Sequence, residues 1–148
     1  RSARTGVDAL KQAAKAVYFR GTQFFNAAPM AAAKATLAEL VKADAATRMT
    51  AIGEKLNEGL VGVAAQHGYE LVASGVPAMP FYRLANVDTH THFAWIDECV
   101  KRGAYMLGYH NHFVSVAPTD DDIERVWDLA GEAFAAMGDA EQNRVRSE

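Results

Sequence analysis

The sequence predicts an α/β fold, because the spacing of its apolar residues changes along the chain. Up to about residue 67 these residues recur every three or four positions, which is typical of amphipathic helices. Residues 69–84 instead hold two short β-rich runs around the turn residues 74–77. Helical spacing then returns at residues 89–102 and again after Thr119. Short strands on one side with two helices covering them form a small α/β layer.

Two helices are predicted in the first 45 residues, and we do not expect them to form a hydrophobic core by themselves. Apolar residues from Val7 to Val17 lie at helical spacing. Residues 27–41 are rich in alanine and have Pro29 in the first turn, where its missing N–H costs little. This surface of small side chains allows another backbone to approach closely, so we expect it to pack against another element.

The middle of the chain is marked by a cap and by turn residues. Asp44 is a candidate N-cap for a long helix that runs to His67, and Gly68 is well placed to end that helix. Two strands are then predicted, at residues 69–73 and 78–84.

The last helix has the clearest start signal. Thr119 is a candidate N-cap, and the three aspartates that follow it suit the positive N-terminus of a helix. Gly138 is expected to end this helix and to leave a loose tail. The other elements predicted in this region are a helix over 89–102 ended by Gly103 and two short strands at 105–107 and 113–116.

Composition and charge exclude several classes of protein. The 148 residues carry a net charge of −3 without a basic stripe, so a nucleic-acid partner is not expected. No run reaches the roughly 18 apolar residues of a membrane span, and the start shows no signal-peptide pattern. The single cysteine, Cys99, excludes an internal disulfide framework and suits a reducing compartment. We therefore expect a cytoplasmic protein without a membrane partner.

Two pairs of histidines form a conspicuous polar pattern. His90 and His92 are separated by one residue, as are His110 and His112. No cysteine or carboxylate pattern joins them, so no metal site is predicted, and the first pair is expected to lie at the surface. The second pair lies in a predicted loop between two short strands, where binding sites often occur. A ligand-binding α/β domain that uses this loop is one candidate function.

A second candidate site is the turn around Gly21 and Thr22, shortly before the helix at residues 27–41. Backbone N–H groups and a hydroxyl at the start of a helix can bind a phosphate, although a plain turn is the alternative. The sequence has no nucleophile motif, and its lysines occupy positions typical of solvated helix surfaces.

Three stretches of the chain resemble one enzyme family. In residues 21–33 a Gly-Thr pair leads into an Ala- and Met-rich helix; in residues 102–107 a glycine separates a helix from a strand; and residues 110–123 pass from a strand through Thr119 to an acidic helix start. In this order the stretches resemble the C-terminal part of the class III pyridoxal-phosphate (PLP) aminotransferases and glutamate-1-semialdehyde aminomutases. The resemblance covers most of the chain from Val7 to Met137.

This resemblance implies a fold type I PLP-dependent transferase, normally a homodimer with active sites at the subunit interface. Residues 1–45 would be the end of the large cofactor domain, and residues 46–148 would be the small C-terminal α/β domain. Gly21 and Thr22 would bind the phosphate of the cofactor in the neighbouring subunit. The family places its Schiff-base lysine and the acid against the pyridine nitrogen upstream of this region, so no catalytic residue is assigned here.

The implied activity is transfer of an amino group between an amine or amino acid and a keto acid or aldehyde. Aminomutases of the family tend to have an acidic residue in the loop where this chain has residues 109–112, which favours an aminotransferase over an aminomutase. His110 and His112 are candidate substrate-binding residues. Arg83 and Arg20 are candidate partners for a substrate carboxylate, because a guanidinium offers two parallel donors.

Overall fold

The structure is a computed structural model that describes residues 7–16 and 26–147. These residues form five helices and two strands, which confirms the α/β class. The chain divides into two compact units, Arg1–Glu39 and Leu40–Glu148. The elements in chain order are α1 (Val7–Ala16), α2 (Ala27–Lys42), α3 (Ala45–Gln66), β1 (Glu70–Ser74), β2 (Phe81–Ala85), α4 (Thr89–Lys101) and α5 (Asp120–Ser147).

Helices α1 and α2 lie where the apolar spacing predicts them. The side chain of Asn26 accepts a hydrogen bond from the N–H of Ala28 at 3.1 Å, which satisfies one of the free donors at the start of α2. Within the part of the chain that the structure describes, no residue of α2 is buried, and Leu37 is 63% exposed. The division of the chain into domains at residue 45 stays a prediction.

Helix α3 begins and ends close to the predicted residues, but its start differs in detail. Asp44 occupies the N-cap position, as predicted, but its backbone is left-handed with φ 46° and its side chain makes no capping hydrogen bond. Its carboxylate accepts instead from the hydroxyl of Thr47 at 3.0 Å. At the other end Gly68 has φ 80°, a conformation that glycine adopts without strain. The backbone therefore turns at Gly68 into the first strand.

One glycine inside α3 marks a close approach between elements. Gly53 is buried, and a Cβ at this position would overlap the carbonyl oxygen of Pro77. No side chain fits there, because both sides of the contact are backbone. The connection between the two strands therefore packs directly on the α3 backbone.

Strands β1 and β2 form an antiparallel hairpin in which Leu71 pairs with Leu84 and Val72 with Arg83. The second strand begins at Phe81 rather than at residue 78, because Met79 closes a turn by donating to the carbonyl of Val76 at 2.8 Å. The predicted hairpin is thus confirmed, with its second strand three residues shorter at the start.

The two further strands predicted at residues 105–107 and 113–116 are wrong. The structure has irregular backbone there. Two backbone bonds join this segment to the end of the hairpin connection: Val114 donates to Ala78 at 3.0 Å and His112 donates to Pro80 at 2.8 Å. Two such bonds tie the segments together without extending the sheet ladder.

The caps of α4 and α5 explain where these helices begin. Asp88, an N-cap that the sequence analysis missed, accepts from the N–H of Thr91 at 2.7 Å. Thr119 and Asp122 bond reciprocally, since the Thr119 hydroxyl accepts from the Asp122 N–H and the Asp122 carboxylate accepts from the Thr119 N–H. The predicted end at Gly138 is wrong, because α5 continues to Ser147. Good helix formers around Gly138, such as alanine and glutamate, offset the roughly 1 kcal/mol that a glycine costs.

The core of the second unit lies between the hairpin and its helices. Helix α3 packs against β1 and α5, and α4 packs against α5. The indole of Trp95 is fully buried and stacks on Phe134 with ring centroids 5.1 Å apart. The buried core residues are Leu60, Ala64, Leu71, Tyr82, Leu84, Trp95, Ile96, Cys99, Ala104, Met106, Leu129, Ala130, Ala133 and Phe134.

Candidate substrate-binding loop and groove

The candidate site lies in the irregular segment between α4 and α5. Its tip carries exposed side chains, among them Tyr109, which is 76% exposed, and His110. The His110 ring lies within hydrogen-bonding distance of the carbonyl of Asn111, at 3.1 Å, and 6.1 Å from the ring of Phe113, and it is exposed to solvent. An imidazole in this position can donate to or accept from a small molecule without first losing a buried contact.

His112 is held much more tightly than His110. Its Nε2 accepts a hydrogen bond from the N–H of Leu107 at 3.0 Å, and its ring lies 5.0 Å from that of Tyr82. The expectation of an exposed loop histidine is therefore confirmed for His110 and wrong for His112, which is half-buried. The backbone bond from His112 to Pro80 explains the difference, because it draws this end of the loop onto the hairpin connection.

The bonding of His112 fixes its protonation state. Because Nε2 accepts, the ring is neutral and its proton lies on Nδ1. Among the described residues Nδ1 is buried and has no hydrogen-bond partner. Burial lowers the pKa of His112, and this outweighs the nearby Pro80 carbonyl, which favours the charged ring. The ring therefore stays uncharged at neutral pH.

A groove of about 370 Å³ opens beside His112. Its walls are mainly apolar, and its polar side chains include His112, Ser115 and Asp122. Tyr82 also lines the groove, and its hydroxyl donates to the side chain of Asn57 at 2.5 Å. Burial raises the pKa of Tyr82. The groove thus offers an apolar surface with few polar groups, as small-molecule sites commonly do.

His92 is a structural residue that the sequence analysis placed at the surface. It is fully buried; its Nδ1 accepts from the N–H of Leu84 at 3.5 Å, and its Nε2 lies 3.1 Å from the carbonyl of Gly108. Burial is the main cause that lowers its pKa. The apolar spacing could have found it, because His92 precedes Trp95, Ile96 and Cys99 by three, four and seven residues.

Arg83 lies on the opposite face of β2 from Tyr82. Side chains alternate along a strand, so Tyr82 and Leu84 are buried while Arg83 is half-buried on the other side. Its guanidinium makes one long contact, 3.5 Å from the hydroxyl of Thr89. The structure therefore brings His110 and His112 together on one loop but does not place Arg83 on the face of the strand that His112 contacts.

The candidate phosphate residues Gly21 and Thr22, and also Arg20, lie outside the described residues. Among the lysines that are described, none is buried. Lys55 pairs with Asp120 at 2.7 Å, and Lys101 pairs with Glu98 at 2.6 Å. A lysine that forms a Schiff base is normally activated by desolvation or by a neighbouring cation. None of the described lysines has such an environment.

Cys99 lies in the hydrophobic core. Burial raises the pKa of the Cys99 thiol to about 12, so it is a packing residue rather than a nucleophile. Over residues 7–16 and 26–147, no cluster of three or more histidine, cysteine, aspartate or glutamate side chains could hold a metal ion. In the same ranges no helix combines the length and apolarity needed to cross a membrane.

Comparisons with known proteins point to one group of enzymes. The chain is 34% identical over 137 residues to an aminopentol aminotransferase from Sphingopyxis macrogoltabida, a match that covers 92% of this chain and 32% of the relative. It is 27% identical to a glutamate-1-semialdehyde 2,1-aminomutase from Akkermansia muciniphila, over 82% of this chain and 32% of that relative. No protein-family model matches the chain.

A solved structure agrees with these relatives. The FumI protein of Sphingopyxis sp. MTA144, solved in its PLP internal aldimine form, superposes with a TM-score of 0.79 and 34% sequence identity. The superposition covers 88% of this chain and 32% of FumI. The chain thus spans about one third of the length of the proteins it matches. It belongs to the family of class III pyridoxal-phosphate aminotransferases and glutamate-1-semialdehyde aminomutases.

Proposed function

We propose that the chain is part of a larger PLP-dependent aminotransferase that moves an amino group between an amine or amino acid and a keto acid or aldehyde. The observation that carries this proposal is the 34% identity to the aminopentol aminotransferase over 92% of the chain. The aminomutase relative supports a second candidate, a glutamate-semialdehyde-type aminomutase, at a lower identity of 27%. A non-catalytic ligand-binding domain is the third candidate, and it rests on the groove beside His112 alone.

In such an enzyme the bound cofactor supplies electron withdrawal at the substrate carbon, and the protein positions the reactants. The exposed lysines described above do not fit the role of the covalent attachment site. The attachment lysine is accordingly assigned to the part of the enzyme outside this chain. The contribution of this chain would be a phosphate contact near Thr22 and a loop that borders the substrate.

The proposed enzyme is a cytoplasmic homodimer with its active site at the subunit interface. Helix α2 supports this, since none of its described residues is buried and its small, apolar side chains suit close packing against another surface. Residues 1–45 would belong to the large cofactor domain and residues 46–148 to the small C-terminal domain. Neither nucleic acid nor a membrane is proposed as a partner.

Replacing Thr22 with valine tests the proposed phosphate contact. A hydrogen bond to a charged group contributes about 1.5–3 kcal/mol, so loss of the hydroxyl should raise the dissociation constant of PLP by roughly 10- to 150-fold. The measurement is PLP affinity of the complete enzyme by fluorescence titration. Thr36→Val is the matched control, because among the described residues the Thr36 hydroxyl bonds within α2, to the carbonyl of Ala32 at 2.9 Å. Equal affinity in the two variants would contradict the assignment of Thr22.

We also propose that His110, His112 and Arg83 contact the substrate. His110 gives the cleanest test, because it is exposed and makes little packing contact. In His110→Ala of the complete enzyme, KM or the preference among amines should change by a few-fold while the melting temperature stays within about 1 °C. His90→Ala removes an equally exposed histidine on α4 and serves as the control. A lowered melting temperature with unchanged kinetics would make His110 a loop support.

A further inference from the structure

Two imidazoles, the buried ring of His92 and the half-buried ring of His112, hold the same short piece of backbone. His112 accepts from the N–H of Leu107 at 3.0 Å, and His92 meets the carbonyl of Gly108 at 3.1 Å. His92 reaches the loop from helix α4, whereas His112 reaches it from the far end of the loop itself. An imidazole therefore holds the N–H of Leu107, and a second imidazole holds the carbonyl of Gly108.

His112 can accept from Leu107 only when it is uncharged, whereas a charged His92 would keep its bond to the Gly108 carbonyl but lose the bond from the Leu84 N–H. The Leu107 N–H needs an unprotonated Nε2 on His112, and the Leu84 N–H at 3.5 Å needs an unprotonated Nδ1 on His92. Adding a proton to either nitrogen would place two N–H donors face to face. It would also place a positive charge where little water can solvate it.

The ring of Phe93 packs closely against the backbone at Gly108. A Cβ on Gly108 would lie 2.5 Å from the ring of Phe93, the residue next to His92. The first turn of α4 thus holds Gly108 by a hydrogen bond and by ring contact together.

We propose that His92 and His112 form a pH-dependent clamp, the imidazole clamp, that holds residues 107–112 in place near neutral pH and releases them on acidification. The segment that would be released carries the exposed Tyr109 and His110. This inference rests on hydrogen bonds of the chain itself and does not require the proposed aminotransferase activity.

Neighbouring charged groups lower the pKa values of His92 and His112, as burial does, whereas the carbonyls of Gly108 and Pro80 raise them. Arg83 on β2 lowers the pKa of His92, and Asp88 and His90 lie on the first turn of α4. His110 lowers the pKa of His112, while Tyr82 on β2 and Asp122 on α5 line the groove beside it. Asp122 is engaged by the Thr119 cap. Burial remains the largest cause of both lowered pKa values.

The sign of the pH effect follows from these directions. An unfolded histidine has a pKa near 6.5, and both folded values lie below it. The open or unfolded segment therefore binds more protons than the closed one, so the clamp is stable above about pH 6.5 and weakens as the pH falls below that. Each histidine that takes up a proton when the segment opens can shift the equilibrium between the closed and open segment by up to about tenfold per pH unit.

Hydrogen–deuterium exchange of the full-length protein tests the clamp directly, because the Leu107 amide is one of the bonded groups. After correction for the intrinsic pH dependence of exchange, protection of the peptide that contains residues 105–112 should fall from pH 7.5 to pH 5.5, by up to about tenfold for each histidine that takes up a proton on opening. In H112Q the side-chain carbonyl can still accept from Leu107 but does not titrate, so protection at pH 5.5 should exceed that of the wild type.

The controls separate the clamp from a general effect of acid. H90Q removes an exposed histidine from the same helix and should leave the pH dependence of this peptide unchanged. Unchanged wild-type protection between the two pH values would overturn the proposal, and this comparison needs no variant to fold. The proposal would also be overturned if H92Q and H112Q, folded by circular dichroism at pH 7.5, lose protection at pH 5.5 as the wild type does.

Discussion

Replacing Trp95 with alanine should cost about 3–5 kcal/mol of unfolding free energy, the range for large aromatic side chains in well-packed cores. Trp95 is fully buried and stacks on Phe134 of α5 at 5.1 Å, with an angle of 12° between the ring planes. Its ring also lies 6.2 Å from that of His92. Removal of the indole would leave a cavity between α4 and α5 that neighbouring rings cannot fill without losing their own contacts.

Urea unfolding followed by circular dichroism measures this effect, since the signal does not depend on the tryptophan itself. Trp95→Phe should cost under about 1.5 kcal/mol, because a ring remains and the indole N–H is lost. Among the described residues that N–H is buried and has no hydrogen-bond partner. Val100 lies on the same helix and is 39% exposed, so Val100→Ala should change the free energy of unfolding by about 0.5 kcal/mol or less. Equal costs for Trp95→Ala and Trp95→Phe would contradict the stacking argument.

The helices could be predicted from the sequence because each carries local signals. Each of these signals acts within a few residues of the helix that it marks. Examples are the alanines of α2, the Thr119 cap of α5 and Gly68 after α3. The hairpin could be predicted for the same reason. The Gly138 end of α5 could not, since one unfavourable residue in a run of good helix formers does not decide where the helix ends.

The fine structure of the candidate loop depends on contacts that are distant in sequence. Residues 113–116 look like a strand, but Val114 is the only one of them with a backbone partner among the described residues. That partner, Ala78, and Pro80, which accepts from the preceding His112, lie more than 30 residues away in the hairpin connection. His92 looks polar and therefore exposed, yet it is buried because Leu84 and Gly108 satisfy both of its nitrogens. The spacing of apolar residues can place His92 on the buried face of α4, but it cannot show which distant groups satisfy its two nitrogens.

The candidate substrate residues show the same division. The sequence groups His110 with His112 by their spacing, and the structure separates them into an exposed ring and a half-buried one. Arg83 is a candidate because of its chemistry alone. Side chains alternate along β2, so Arg83 lies on the face opposite Tyr82. Family membership, by contrast, could be predicted, because it depends on the order of several motifs and not on the position of any single side chain.

We propose that this chain serves a PLP enzyme whose covalent lysine lies elsewhere in the protein. The most direct measurement is borohydride reduction of the complete, PLP-loaded enzyme, followed by peptide mapping of the reduced adduct. We expect one modified lysine, outside the 148 residues of this chain, because the lysines described here are exposed or engaged with Asp120 and Glu98. A single adduct on a lysine of this chain, or a complete enzyme that binds no PLP, would contradict the claim.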